Sequence, residues 1–364
     1  MLVPKLRFKE FNSEYQKYKI GDTLKVKSGK DQKSIECING TYPILGTGGQ
    51  IGTTNSFLYD KPSVLIGRKG TINKPQYMTT PFWTVDTLFY TDIKEEFNTK
   101  YIFYAFQNIN WKKYDESTGV PSLSCKTIEE ILYYIPNKDE QDKISTFITL
   151  LDKKIELQQR KIETLKIYKK GLIQKMYQKN YNNKIKMEKI LIQKSIRNTN
   201  DENYNVYSVS NKDGFILQTE QFKDRIVASE DTKNYKVVEK DDFAYNPARI
   251  NVGSIARTKK DTKGIISPMY ICFKCNEKIL PEYLEYFFES SKFTYEMNKR
   301  LEGSVRMCLS YESMLNIPIE LPNKNEQEEI SKMLNNLSDK IKLEEEKWIK
   351  LKKLKKGLLQ KMFI

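Results

Sequence analysis

Apolar residues recur at alternating steps of four and three along two stretches of the chain. In the first they are Ile144, Ile148, Leu151, Ile155, Ile162, Leu165, Leu172 and Met176. In the second they are Ile330, Leu334, Leu337, Ile341, Trp348, Leu351, Leu358 and Met362. A repeat of about 3.5 residues kept this long is the mark of a coiled-coil seam, whereas a single amphipathic helix lying on a globular core would drift toward about 3.6. The pattern therefore predicts two long helices. Each seam is interrupted at two polar positions, Gln158 and Lys169 in the first and Glu344 and Lys355 in the second.

The two stretches are copies of one another. Residues 135–177 and 321–363 align without a gap at an offset of 186, the difference between Pro322 and Pro136, and about half of the paired positions are identical. Pro136 and Pro322 close the preceding segments, and Asp139 and Asn325 are expected as N-caps, each followed by acidic residues. If the helices pair antiparallel with residue numbers summing to 513, Leu151 meets Met362 and Ile155 meets Leu358. Gln158 then falls opposite Lys355, and Lys169 opposite Glu344, whereas a parallel pairing would set Lys169 against Lys355. Polar seam positions cost stability but fix register. The expectation is an intramolecular antiparallel coiled coil with pseudo-two-fold symmetry.

Residues 15–134 and 186–320 precede the two helical copies and read differently. Both are rich in Tyr, Phe, Ile and Val and are punctuated by Gly, Asn, Asp and Pro. Runs such as Ser63–Gly67 and Tyr270–Lys274 read as strands. The bodies differ strongly, but their ends correspond. Tyr101, Tyr104 and Phe106 match Tyr283, Tyr286 and Phe288, and Leu123-Ser124 matches Leu309-Ser310 after a turn containing Gly119 or Gly303. The predicted fold class is mixed α/β (α+β): two globular domains with twisted sheets, separated by the two long helices. The expected boundaries are 1–137 for the first domain, 138–180 for the first helix, 181–323 for the second domain and 324–364 for the second helix.

Composition narrows the function. Lys and Arg outnumber Asp and Glu by 62 to 47 in 364 residues, a formal net charge of +15, which favours polyanionic partners. No run of 18 apolar residues spans a membrane, and the N-terminus lacks the apolar core of a signal peptide. Five cysteines, an odd number, fit a reducing cytoplasm. The absence of histidine removes the commonest general base and every His-based triad. Cys272-Phe-Lys-Cys275 is a lone C-x-x-C without a second pair at zinc spacing, so it reads as ordinary strand and no metal is expected.

Two glycine-rich runs, Gly46–Gly52 and Gly67-Arg-Lys-Gly70, could bring backbone amides near phosphates, and equally they could be tight turns. Neither is a Walker loop or a dinucleotide fingerprint. Asn246-Pro247-Ala248-Arg249 lacks the second proline and the aromatic residue of the adenine-methyltransferase motif, so methyl transfer by this chain is not expected. The DNA-contact candidates of the first domain are Thr47, Gln50, Thr53, Asn55, Arg68, Lys69, Lys74, Ser122 and Ser124. Those of the second are Ser210, Asn211, Lys212, Arg249, Asn251, Ser254, Arg306 and Ser310. For the arginines the competing reading is a structural salt bridge. No catalytic residue is expected.

A strand-rich segment, then Pro-x-x-x-Glu-Gln, then a long helix ending Lys-Lys-Gly-Leu-[Ile/Leu]-Gln-Lys-Met, all occurring twice, resembles the specificity subunits of type I restriction–modification systems. The residues are Pro136 to Gln141 with Lys169 to Met176, and Pro322 to Gln327 with Lys355 to Met362. Val3–Phe8, Gly67–Gly70 and Pro81–Asp86 look similar too. The resemblance implies two target recognition domains, each reading half of a bipartite, asymmetric site in double-stranded DNA. It implies two adenine-specific methyltransferase subunits on the helical region, and translocase–nuclease subunits joining them. S-adenosylmethionine, ATP and Mg would belong to those partners, with no cofactor on this chain. A stand-alone two-headed DNA-binding protein and a coiled-coil interaction scaffold remain open as alternatives.

Overall fold

The computed structural model describes residues 3–179, 181, 183–211, 214–221, 232–259, 261, 263–303 and 307–364. The chain forms two compact units, Met1–Arg160 with Glu346–Ile364, and Lys161–Glu345. The boundary between them passes through both long helices, so each unit holds part of each.

In the first unit the strands are β1 (Gln16–Lys19), β2 (Leu24–Lys27), β3 (Tyr42–Gly46), β4 (Gly49–Thr54), β5 (Ser63–Gly67), β6 (Gln76–Met78), β7 (Trp83–Thr84), β8 (Leu88–Ile93) and β9 (Leu132–Ile135). Short helix α1 (Ile20–Thr23) follows β1, and α2 (Thr99–Asn108) and α3 (Cys125–Glu130) precede β9. Helix α4 (Lys138–Tyr177) follows and contributes residues 138–160 to this unit. The antiparallel sheet β2-β8-β5-β6 faces a smaller sheet β4-β3-β7, whose β3–β7 pair is parallel, and β1 pairs with β9. All five residues of β5 are buried, which explains its unbroken apolar run. Val64 and Ile66 enter the core with Ile102 and Phe106 of α2, while Leu65 enters the other core with Phe82 and Tyr90.

The second unit repeats this plan with a different sequence. Its strands are β10 (Lys184–Lys186), β11 (Leu191–Lys194), β12 (Asn205–Ser210), β13 (Gly214–Leu217), β14 (Lys236–Val238), β15 (Phe243–Tyr245), β16 (Ile255–Arg257), β17 (Gly264–Ile266), β18 (Ile271–Cys275) and β19 (Pro318–Glu320). Helix α5 (Gln218–Gln221) follows β13, and α6 (Pro281–Phe288), α7 (Ser291–Asn298) and α8 (Tyr311–Leu315) lead to β19 and helix α9 (Lys324–Met362). Sheet β11-β18-β15-β16 corresponds to β2-β8-β5-β6. Sheet β13-β12-β17-β14 again contains one parallel pair, β12 with β17, and β10 pairs with β19 as β1 does with β9. Strand β15 is split between two cores as β5 is: Phe243 and Tyr245 go to one, Ala244 to the other.

Each unit pairs α4 with α9 in antiparallel fashion. In the first, Ile144 and Ile148 of α4 share a core with Leu358, Leu359 and Met362 of α9, and Asp152 holds Lys355 at 2.6 Å. In the second, Leu172, Ile173 and Met176 share a core with Ile330 and Leu334, and Lys161 pairs with Glu344 at 3.1 Å and Lys166 with Glu345 at 2.6 Å. Every expected seam residue is buried or half-buried: Leu151, Ile155, Gln158, Ile162, Leu165, Lys169, Leu172, Met176, Leu337, Ile341, Glu344, Trp348, Leu351, Lys355, Leu358 and Met362.

Two local expectations need correction. The N-caps of the long helices are Asn137 and Asn323, not Asp139 and Asn325. Asn137 Oδ1 accepts from the Glu140 N–H at 3.0 Å, and Asn323 Oδ1 from the Glu326 N–H at 2.9 Å. Two of the polar seam residues, Lys169 and Lys355, also have partners other than those expected. Lys169 pairs with Glu289 at 3.1 Å with its ammonium over the Tyr286 ring, and Lys355 lies over Tyr104 while held by Asp152.

The repeated Glu-Gln pair explains why its glutamine is there. Gln141 and Gln327 are 2% and 1% exposed. Gln141 accepts from the Asn98 N–H at 2.9 Å and donates to Pro136 O at 3.0 Å. Gln327 accepts from the Leu280 N–H at 2.9 Å and donates to Pro322 O at 3.1 Å. Each ties the first turn of a long helix to the start of the domain helix beside it. Gln141→Leu strands a part-buried N–H and a buried carbonyl, and is expected to cost about 2–3 kcal/mol. Gln327→Leu should cost the same in the second unit. Chemical denaturation of the two variants checks this, and losses below about 1 kcal/mol would contradict the tie.

Candidate nucleic-acid interface

In the first unit three turns converge. The β3–β4 turn carries Thr47. The loop between β5 and β6 carries Arg68, Lys69 and Gly70, and the segment before α3 carries Ser122. Arg68 N–H donates to Thr87 O at 2.8 Å and Gly70 N–H to Pro121 O at 2.8 Å, while Leu123 N–H donates to Arg68 O at 2.9 Å. Glycine is needed twice here. A Cβ at Gly67 would stand 2.3 Å from Thr71 O, and Gly70 has φ +84°. Gln76, absent from the sequence candidates, donates to Gly46 O at 2.9 Å and fixes the β3–β4 turn. Lys69, Lys74 and Gln50 are exposed, and Arg68 and Thr47 are half-buried.

In the second unit a cavity of about 650 Å³ gathers Ser210, Asn211, Arg249 and Ser254 with Gln218, Asn246, Ser267 and Tyr270. Arg249 is exposed, and Asn246 Oδ1 accepts from the Ala248 N–H at 3.0 Å, which sets the turn that presents it. Gly253 ends this loop with φ +91°. Asn251 is exposed but does not line the cavity. Lys212 and Arg306 lie outside the described residues.

Several candidate hydroxyls are committed within the fold. Ser124 and Ser310 cap α3 and α8, accepting from the Thr127 N–H and the Ser313 N–H at 3.1 Å each. Ser254, 4% exposed, donates to Val209 O at 3.1 Å. Thr53 donates to Cys37 O at 2.7 Å, and Asn55 accepts from the Thr41 N–H at 3.2 Å, so both pin the loop before β3. Ser122 offers its N–H to Asp115 at 2.9 Å.

All five cysteines are free thiols, and burial pushes Cys272 and Cys275 up to about 12, so both stay protonated. Among the described residues no group of three or more His, Cys, Asp and Glu is placed to hold a metal ion. Among them also, no helix is long and apolar enough to cross a membrane.

The two units thus carry one framework with unlike polar sets on matching loops. A family model for the type I restriction modification DNA specificity domain matches residues 12–166 and, a second time, residues 183–353. The chain belongs to this family. It is the family of the DNA-specificity subunit of type I systems, which is non-catalytic. Solved structures agree in fold along nearly the whole chain. A type I restriction–modification S subunit from M. genitalium is similar with 16% identity and a TM-score of 0.65, covering 100% of this chain and 99% of that one. A chain from a study of complex assembly and conformational transition in the type I R-M system is similar with 10% identity and a TM-score of 0.57, covering 97% and 98%. In this specificity protein the double match falls on the two sheet-rich regions and on most of each long helix.

Proposed function

We propose that the chain reads a bipartite, asymmetric target in double-stranded DNA, one half-site per unit. It directs two adenine-specific methyltransferase subunits, and the restriction–translocase subunits that join them, to that site. The carrying observation is that the fold occurs twice while the polar groups on its loops, apart from one arginine in each unit, do not. Thr47, Arg68 and Lys69 crowd the loops of one unit, and Asn211 and Arg249 the corresponding loops of the other. A reader of a symmetric site would carry the same set twice. S-adenosylmethionine, ATP and Mg are used by the partner subunits, and the complex works in the cytoplasm, where its DNA is. The net charge of +15 supplies sequence-independent attraction through counterion release.

The test is reconstitution. The purified chain alone transfers no methyl group, and methylation of adenine appears when the cognate methyltransferase subunits are added. Affinity of the chain for duplex DNA falls at least about a hundredfold between roughly 50 and 200 mM salt. Methyl transfer by the isolated chain, or an affinity flat in salt, would contradict the reading.

A further inference from the structure

The chain is rich in lysine but has nine arginines, of which Arg225 and Arg306 lie outside the described residues. Four of the other seven are ion-paired: Arg7 with Glu140, Arg160 with Glu156, Arg257 with Glu282 and its neighbours, and Arg300 with Glu296. Arg197 donates to the Asn234 amide oxygen at 3.0 Å. Arg68 and Arg249 are the two whose guanidinium has no side-chain hydrogen bond or ion pair among the described residues. Arg68 reaches the Asp86 carbonyl oxygen at 3.3 Å.

Both arginines sit on the same loop of the repeated fold. Arg68 follows β5 and Arg249 follows β15, the corresponding strands of the two units. The loops are clamped by the same segment, at Arg68 itself in the first unit and at Pro247, two residues before Arg249, in the second. Leu123 N–H donates to Arg68 O at 2.9 Å, and Leu309 N–H donates to Pro247 O at 3.1 Å. Leu123 and Leu309 are the same position of the repeat, as are the segments that carry them. Glu116 N–H donates to Ser122 O at 3.0 Å, and Glu302 N–H to Cys308 O at 2.9 Å. The rest of each loop differs, so the shared feature is the unpaired guanidinium itself.

Lysine binds a phosphate as a point charge, and this chain has lysine in excess. What arginine adds is a rigid planar fork, which matches N7 and O6 on the major-groove edge of guanine. We propose that Arg68 and Arg249 are equivalent guanine readers, each fixing one G·C pair in its own half-site. This rests on the specificity-subunit reading and adds the base that each loop selects.

The experiment maps methylated motifs in the DNA of cells carrying the full chain with its cognate methyltransferase subunits. The unsubstituted chain gives a bipartite motif with a G·C pair in each half. Arg249→Gln relaxes one G·C position in the half read by the second unit, with discrimination there falling about ten- to a hundredfold, and leaves the other half unchanged. Arg68→Gln does the reverse. Arg249→Lys, which keeps the charge and loses the fork, relaxes the same position. Among the described residues neither guanidinium has a side-chain partner, so thermal unfolding midpoints are unchanged in the variants. A uniform fall in methylation across all sites with the motif intact marks a phosphate contact and overturns the proposal. So does a motif indifferent to the substitutions. Absence of any bipartite motif with the unsubstituted chain would instead remove the reading on which the proposal rests.

Discussion

Replacing Arg257 with methionine is expected to destabilise the second unit by about 3 kcal/mol. The Arg257 side chain is 6% exposed and is surrounded by Asp241, by Glu282 at 2.6 Å and by Glu285 at 3.0 Å. Burial works against its charge, but Glu285, Glu282 and Asp241 outweigh that and hold the guanidinium above its ordinary value. Without it, three carboxylates face one another, and Lys259, at 2.9 Å from Glu285, is the counter-charge that remains close. Asp241 and Glu282 are each about a third exposed, so solvent takes up part of their repulsion, which is why the expected loss sits at the low end for a broken buried ion pair. The cluster joins strand β16 to helix α6, so the loss falls on the sheet-to-helix packing of that unit. Combining Arg257→Met with Glu282→Gln and Glu285→Gln should restore part of the stability, because the penalty lies in the uncompensated charges. Denaturant unfolding measures both. A single-variant loss below about 1 kcal/mol, or a triple variant no better than the single, would show that the cluster is not what holds α6 to the sheet.

The helical half of the fold was legible in the sequence because a heptad repeat is a local signal, and the positions named for the seam are buried or half-buried. The partners of the polar seam residues were not legible. Lys169 meets Glu289 and Lys355 lies over Tyr104, and both partners come from domain segments that no helical period encodes. The caps were displaced by two residues for a similar reason. Asn137 and Asp139 can both cap, and the choice is made by where β9 ends. The sheets were seen as strands, but their common topology was hidden by divergence of the sequences; it emerges from the pairing of β3 with β7 and of β12 with β17.

The candidate site was legible in its loops and not in its individual contacts. Ser124 and Ser310 stood in the sequence as candidates, yet they recur at the same offset in both domains. A pair that recurs at the exact offset of the repeat, beside the same helix start, belongs to the framework, and both serines are indeed caps. The same reasoning fits Gln141 and Gln327. Gln76 and Gln218 gave no signal, because a lone amide has no motif and its role depends on which turn the fold brings beside it.

The central claim is that each unit reads its own half of the target. Residues 15–134 contain β1 to β8, helices α1 to α3 and all but the last residue of β9, so exchanging them removes one complete reading surface. The second unit keeps its own cores, in which Phe243, Phe273 and Phe287 pack with Ile173 and Tyr177 of α4, and its Arg249 loop is untouched. The discarded half-site should fall to non-specific affinity, a loss of roughly a thousandfold or more, while recognition of the other half stays as it was. The decisive measurement is the methylated motif in cells carrying the full chain with residues 15–134 exchanged for the corresponding segment of another specificity subunit, together with the cognate methyltransferase. The account predicts a new first half joined to the original second half. A motif in which both halves change, or neither does, would contradict it.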